Sequence, residues 1–550
     1  MVESINVVNI YCNNDKKPLK TKKANLDFFS KKICILSPPH CFFIAHQIKL
    51  NLRGYNTECK ISSEEYQDEN YNYIVICPQF FKELPGVYIS YQMEQKSSNW
   101  FDSKYITTLE NSHSILDYSI DNINHLINKG LAWKQFFYMP VGGIPNYKQF
   151  LEENGYRLIR PFKKYDVLFY GVICDRRRKI IDELSTSFNI HIESDCFGEE
   201  LVSKVLNSRV VVNIHYYEDA ILETTRIHEV LSLGIPVVSE DSTDIHRYED
   251  LAKVVKFVKS GCVDSLKQEI SFLLRNEYEY NSTVESIKNY VNNSYEKANY
   301  YFLRYMLAWN WITFEDFYRY GEKYIGLNFN TDKLCLTIDE NNRCCKETKN
   351  TLLEEGFNFF TGVRHNVPWI GCGLSYKYIA RKSLDKDIIP LTICEDDTIF
   401  NEKFKTKYRT ILRYLKQNKN KWHLFSGLSA HFNKDAKILK IEEFEGIEFI
   451  YLNKVVSTVF NIYSKDILQI ISVWDHKDAE LTLLPIDRYI ESMNDLVVIT
   501  TIPYLAGHNS EQTSTLWNFN NIEYSQMIAE SQNLLQIKVN EYKQKELRYN

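Results

Sequence analysis

Glycine and proline are scarce in this chain, 19 and 13 of 550 residues, which excludes collagen-like and Pro/Gly-rich low-complexity architectures. No run approaches the ~18 apolar residues of a membrane span. The amino terminus, MVESINVVNIYCNNDKK, has acidic and polar residues where a signal peptide needs a basic start and an apolar stretch. A basic excess is missing too. The net charge of −5 argues against a sequence-blind nucleic-acid binder, so no nucleic-acid partner is expected. The 13 cysteines follow no disulfide framework, and adjacent Cys344-Cys345 has no His pair to suggest zinc. These absences predict reduced thiols and a cytoplasmic location.

What is abundant is aromatic and AT-coded: 38 Tyr and 31 Phe, with much Asn, Lys and Ile. That bias suits a bacterium, or a cell infected by a large DNA virus. At 550 residues two or three domains are expected. After a polar extension (residues 1–30), short apolar strands alternate with helical stretches, the signature of a parallel sheet covered by helices. Strands are expected at KICILS (32–37), YIVICP (73–78), VYISYQ (87–92) and FFYMPV (136–141), with helical spacing over residues 106–129. A second α/β unit begins after residue 160, with strands YDVLFYG (165–171), IHIESD (190–195), RVVVNIH (209–215), IPVVSE (235–240) and VVKFV (254–258). The fold class is therefore α/β: two Rossmann-like units at 31–160 and 161–290, facing each other across a cleft. A helical linker (291–331), a third α/β domain (332–520) and a terminal helix (521–550) follow.

Two segments carry chemistry. The first is DIIPLTICEDDTIF (387–400), a buried-strand pattern that ends in Glu395, Asp396 and Asp397. Adjacent carboxylates repel, and together they favour a divalent cation with oxygen ligands. An acidic, solvated strand end is the plain alternative. The second is ILETTRIHEVLSLGIPVVSE (221–240), where Gly234 ends a helix and Pro236 enters a strand. Arg226 and Glu229, three apart, share a helix face. The arginine can grip a diphosphate and the carboxylate can accept ribose hydroxyls; a surface ion pair is the alternative.

This second segment resembles the nucleotide-sugar half of a GT-B glycosyltransferase of the spore-maturation or family 4-like branch. Glu229, Gly234, Pro236, Val237 and Val238 carry the likeness, with DVLFYGVICDRRRKII (166–181) supplying Gly171 and Arg176–Arg178, and with SYQMEQ (90–95) and LDYSIDNINHL (116–126) on the acceptor side. The resemblance implies a donor site made by Arg226, Glu229, Gly234, Gly171 and one of the arginines, Arg177, without a bound metal. Many retaining members carry a second Glu eight residues before the ribose-binding one. Here that position is Ile221, and Glu223 is a candidate substitute.

The third domain adds Asp339, Arg343, WIGCGLSYKYIARKSL (369–384), NIYSKDIL (461–468), PIDRY (485–489) and IPYLAGHNSEQTS (502–514). In the 369–384 segment, two glycines read as a turn entering a helix. This ordered set resembles glycosyltransferase family 25, the lipooligosaccharide and collagen galactosyltransferase-like domain. The resemblance implies a GT-A fold in which Asp397, with Glu395 or Asp396, holds Mn²⁺ against the diphosphate of a UDP-sugar. Asp487 is the candidate catalytic base, with a helix-cap role as the alternative. His508 reads as a surface histidine or as a further metal or phosphate contact. Tyr376 stands where the family usually has His, and Cys344-Cys345 replaces polar and basic residues.

The expected function is a bifunctional, nucleotide-sugar-dependent hexosyltransferase acting on a glycan, glycolipid or glycoprotein. The alternative is one active family 25-like domain beside a nucleotide- or glycan-binding module. A metal-dependent nuclease or phosphatase is the reading from another class. The sequence carries no signal for oligomeric state.

Overall fold

The computed structural model describes residues 27–549 apart from 56, 65–67, 159–161, 322–328, 342, 401–402, 477–483, 513 and 517–519. Most of the expected polar extension at 1–30 lies outside them. The described residues form two compact units, one reaching to Tyr305 and one comprising Met306–Tyr318 with nearly all that follows.

The first unit holds two all-parallel sheets. Sheet one comprises β1 (Lys32–Leu36), β2 (Cys59–Ser62), β3 (Tyr71–Ile76), β4 (Tyr88–Gln92), β5 (Ile115–Asp117) and β6 (Phe136–Tyr138), in spatial order β2-β1-β3-β4-β5-β6. Sheet two comprises β7 (Tyr165–Tyr170), β8 (Ile190–Glu193), β9 (Ser208–Asn213), β10 (Val237–Glu240) and β11 (Lys256–Val258), ordered β11-β10-β9-β7-β8. Continuous apolar runs such as VVV at 210–212 suit strands covered on both faces. Val167, Phe169, Val210, Val212 and Val238 pack with Ile180, Ile181, Leu266 and Ile270 from the flanking helices.

Both sheets share one topology, in which the first strand lies between the second and the third. The connections therefore diverge at β1/β3 and at β7/β9, opening a crevice at the carboxyl ends of those strands.

All four strands expected in the first sheet and all five in the second are present. The helical spacing at 106–129 is corrected: helix Ser103–Asn111 stops, β5 intervenes, and helix Ile120–Asn128 restarts. Ser119 restarts it by accepting a bond from the Asn122 amide, so an N-cap breaks what periodicity alone runs together.

The second unit contains β12 (Lys333–Thr337), β13 (Asn358–Thr361), β14 (Leu391–Glu395), β15 (Thr398–Phe400), β16 (Leu424–Ser426), β17 (Ile438–Phe444), β18 (Ile447–Leu452), β19 (Phe460–Tyr463), β20 (Val498–Thr500) and β21 (Ala506–His508). Eight of them form a mixed sheet ordered β13-β12-β14-β19-β16-β20-β18-β17, and β15 pairs with β21 separately. β14 lies parallel to β12 and antiparallel to β19.

The glycines at 371 and 373 are not in a turn; both lie inside helix Pro368–Asp385. A Cβ on Gly373 would come within 2.3 Å of the Trp474 ring, and one on Gly371 within 2.9 Å of the His365 amide. Both are small to admit a neighbour, and the helix continues through them. The expected terminal helix is present as Ile522–Tyr549. Among the described residues, no helix is long and apolar enough to cross a membrane.

Candidate active site

β14 delivers the acidic triplet. Leu391, Ile393 and Cys394 are fully buried, so the strand is anchored by its apolar side chains and the carboxylates emerge at its end. They are not a solvated cluster: Asp396 and Asp397 are each only 3% exposed.

Asp396 is committed to the fold. Its Oδ2 accepts from Thr337 Oγ1 at 3.0 Å and from the Arg343 amide at 3.2 Å, and its Oδ1 takes Arg343 Nη2 at 2.8 Å. The same guanidinium reaches Asp397 Oδ2 through Nη1 at 2.7 Å. Arg343 thus forks across two adjacent carboxylates, a charge-assisted arrangement that only its planar head can make.

Asp397 has further partners. His508 Nε2 lies 3.0 Å from Oδ2, and Asn521 Nδ2 donates to the same oxygen at 3.4 Å. His508 arrives there because β15 and β21 pair Thr398 opposite His508. The surface reading of His508 is therefore corrected: its side chain is 6% exposed and bound to the triplet. Burial opposes charge on Asp397, but the Arg343 charge and the His508 contact hold its carboxyl down at about 2. Glu395 behaves oppositely. Burial, and then the negative charge of Asp397, push it up to about 7.

Five buried polar atoms around this point have no partner: Asp397 Oδ1, Arg343 Nε, His508 Nδ1, Gln512 Oε1 and Asn521 Oδ1. Each such atom costs roughly 1–3 kcal/mol when left unsatisfied, so their concentration makes this strand end the candidate site of the second unit. Asp397 Oδ1 is the carboxylate oxygen of the triplet left buried and unpartnered, whereas Glu395 is hydrogen-bonded by Thr458. Both Asp396 oxygens are already engaged by Thr337 and Arg343.

Asp487 lies in the first turn of helix Ile486–Glu491, just after Pro485 at the N-cap position, and there meets an orphan amide of the helix start, in keeping with the helix-cap alternative. Its Oδ1 accepts the Arg488 amide at 2.9 Å, and burial raises its carboxyl above the ordinary 3.8. Burial, and after it the charges of Glu395 and Asp487, raise the Cys372 thiol above its ordinary value.

The first unit has its own constellation, at the β7/β9 crevice. Gly171 follows β7 with φ +132, and a Cβ there would stand 2.8 Å from Arg226 Nη2 and 3.4 Å from Arg177 Nη1. Two guanidiniums thus meet over a backbone that glycine alone keeps bare. Arg226 projects from helix Thr224–Ser232, donates to Asn213 Oδ1 at 2.6 Å and lies over the Tyr170 ring. Glu229, one turn on, accepts from Tyr170 Oη at 3.2 Å instead of pairing with Arg226. Burial pushes its carboxyl up to about 7.

Arg177 is almost fully buried. It donates to Ile214 O at 2.9 Å and Val172 O at 2.7 Å, and sits 3.5 Å from Glu223. Burial, then the Arg226 charge, lowers it to about 10. Arg176 forks onto Glu240 at 2.6 and 2.8 Å, which leaves Arg178 as the exposed member of the run. Glu223 pairs with His215; despite burial, the His215 and arginine charges hold it at about 2. Ile221 is fully buried, so it contributes packing. Gly234 lies apart from these side chains. It follows the carboxyl end of the helix with φ +78, and nothing lies within 4 Å of a Cβ built there. Arg226 is at the opposite end, so Gly234 terminates the helix and does not touch the cluster.

Asn213, His215, Tyr170, Thr337 and Asn521 carry no local signal in the sequence; only strand order and the β15/β21 pairing make them neighbours of the site.

Residues 347–471 match glycosyltransferase family 25. The family is described as an LPS biosynthesis protein. The family 25 segment contains the triplet, while Arg343, Asp487 and His508 lie outside it. The chain is 28% identical over 191 residues to the uncharacterized protein L140 of Acanthamoeba polyphaga mimivirus, covering 33% of this chain and 59% of that protein. With the uncharacterized protein L138 of the same virus it shares 31% over 133 residues, 23% of this chain and 15% of the other. The chain spans less than two thirds of the length of these relatives.

Among solved structures it is similar to WaaG, a glycosyltransferase involved in lipopolysaccharide biosynthesis (TM-score 0.32, 11% identity, 49% of this chain and 98% of that one). It is also similar to Anabaena HepE in complex with UDP and glucose (TM-score 0.33, 8% identity, 50% and 100%). The parallel Rossmann-like architecture of the first unit rests on its own strand order.

Proposed function

We propose that the chain is a bifunctional glycosyltransferase in which each unit binds its own nucleotide-sugar donor, with a glycan, glycolipid or glycoprotein as acceptor. The observation that carries this reading is the buried Glu395-Asp396-Asp397 strand end, inside the family 25 segment, with Asp397 Oδ1 unpartnered.

In the second unit Asp397 and Glu395 would hold Mn²⁺, and Asp396 with Arg343 would keep Asp397 in place. When bound, the cation would offset charge on the departing nucleoside diphosphate as a Lewis acid. His508 orients Asp397 through its Oδ2 oxygen. Asp487, whose burial favours taking up a proton, would accept the proton of the acceptor hydroxyl.

In the first unit Arg226, assisted by Arg177, would hold the donor diphosphate over Gly171, and Glu229 would accept ribose hydroxyls. Charge on the leaving group is there met by fixed guanidiniums. One observation favours the second reading, a single active domain: the Arg177 donors already serve Ile214 O and Val172 O, as expected of a structural arginine.

The test is transfer and hydrolysis of a panel of UDP- and GDP-sugars by the intact protein, with and without Mn²⁺. Asp397→Asn should abolish the Mn²⁺-dependent activity, and Arg226→Ala with Glu229→Ala the metal-independent one. Loss of all turnover in either variant alone would sink the two-site reading.

A further inference from the structure

Three further ligating side chains meet at the other switch point, where the connections of the first sheet diverge between β1 and β3, near enough to the β7/β9 cluster for Cys41 to act electrostatically on Glu229. β1 leads through Pro38 into the short turn Pro39–Cys41, and β3 leads directly into Cys77. His40, Cys41 and Cys77 each offer one ligand atom, and all three atoms lie within 4.8 Å of one another. Among the described residues this is the one group of three or more His, Cys, Asp or Glu side chains close enough to share an ion.

The sulfurs decide the chemistry. Cys41 Sγ and Cys77 Sγ are 3.6 Å apart. Two thiolates each about 2.3 Å from a tetrahedral zinc ion stand about 3.8 Å apart, whereas disulfide sulfurs lie about 2.0 Å apart. The pair therefore has the spacing of two ligands on one ion. Both thiols are buried and thus shielded from bulk solvent. Cys77 adopts φ 52, a left-handed conformation that a non-glycine residue takes only where its surroundings impose it. His40 is exposed and closes the open side, its ring 5.0 Å from Phe80 and 6.2 Å from Phe197. Glu94, held by Gln79 at 2.8 Å, acts electrostatically on both His40 and Cys41 and adds negative charge beside the group.

A donor set of two sulfurs and one imidazole nitrogen selects zinc over the hard cations that carboxylates prefer. We propose that His40, Cys41 and Cys77 form a zinc(II) site with three protein ligands and an open fourth position at the β1/β3 switch point. Binding converts two thiols to thiolates and releases their two protons to solvent, so charge and atoms balance without any oxidant. Three protein ligands leave the fourth position to water or an anion entering the crevice, the pattern of zinc sites that exchange ligands. The site is independent of the Mn²⁺ position proposed at Asp397, whose donors are oxygens.

The full-length protein, stripped with a chelator and reduced, would be titrated with Zn²⁺ and separately with Co²⁺. The expected result is one tightly held ion at this site, with thiolate-to-cobalt charge-transfer absorption and the visible bands of tetrahedral cobalt. Cys77→Ser should weaken that charge-transfer band, and His40→Ala, at an exposed position that does not threaten folding, should lower Zn²⁺ affinity tenfold or more. Cys262→Ser, elsewhere in the unit, should change nothing. Failure of the wild-type chain to bind Zn²⁺ stoichiometrically would overturn the proposal. So would a cobalt spectrum that survives both Cys41→Ser and Cys77→Ser, or formation of a Cys41–Cys77 disulfide as fast with Zn²⁺ present as without it.

Discussion

Replacing Arg343 with methionine tests the electrostatic core of the second unit most directly. The guanidinium bridges Asp396 and Asp397, and the three side chains are 13%, 4% and 3% exposed, so solvent screens them little. Methionine keeps much of the volume and removes the charge, leaving two neighbouring buried carboxylates facing each other. Breaking a buried pair from one side typically costs about 3–5 kcal/mol. With a urea slope of about 1–3 kcal/mol per molar, the transition of this unit should move down by roughly 1–5 M in urea at neutral pH.

The sign of the pH dependence follows from Asp397. Its carboxyl is held at about 2, below the ordinary 3.8, so its stabilisation is fully present above pH ~4 and disappears as pH falls through about 2. Without Arg343 the carboxyls of Asp397 and Glu395 rise, so the gap between wild type and Arg343→Met should be largest at the alkaline end and narrow steadily as the solution is acidified. Mn²⁺ should restore part of the loss, about 2.7 kcal/mol at a concentration one hundred times its dissociation constant, because the cation replaces the missing positive charge. The assay is urea unfolding followed by circular dichroism from pH 3 to 8, with and without Mn²⁺. A loss under about 1 kcal/mol at pH 7, or a gap that widens on acidification, would refute the reasoning.

Three further substitutions probe other parts of the chain. Gly171→Ala forces a Cβ to 2.8 Å from Arg226 Nη2 at φ +132; it should cost about 1–3 kcal/mol in backbone strain and weaken nucleotide-sugar binding by the first unit at least tenfold in calorimetric titration. Glu229→Gln removes a charge that burial disfavours, its carboxyl having risen to about 7. Wild type loses stability as pH rises from about 4.5 through 7 while the variant does not, so the variant should gain about 1–3 kcal/mol relative to wild type between pH 5 and 8, read from urea midpoints. Gly373→Ala drives a methyl group to 2.3 Å from the Trp474 ring; overpacking of about 1–3 kcal/mol and a changed tryptophan emission are expected, and unchanged emission would argue against that close approach.

Much of the fold was legible because burial on both faces writes itself as continuous apolar runs. The strands of both parallel sheets follow that rule, as does β14 before its charged end. β5 was hidden because three residues between two amphipathic helices leave no period of their own, and the Ser119 cap that separates them is a local hydrogen bond. The two glycines at 371 and 373 read as a turn because composition reports backbone freedom, whereas here they answer a tertiary neighbour, the Trp474 ring. His508 read as a surface residue because nothing adjacent to it in sequence is acidic; β21 must pair with β15 before it meets Asp397.

By itself the sequence determined that the chain is α/β, that carboxylates end a buried strand at 395–397, and that Arg226 and Glu229 share a helix face, because each of these is set by neighbours within a few residues. Tertiary structure alone decided which carboxylate keeps a free oxygen, that Arg343 forks across two of them, that Arg226 and Arg177 meet over Gly171, and that His40 joins two cysteines 36 positions apart. Those are outcomes of strand order, and strand order depends on long-range packing that no local pattern encodes.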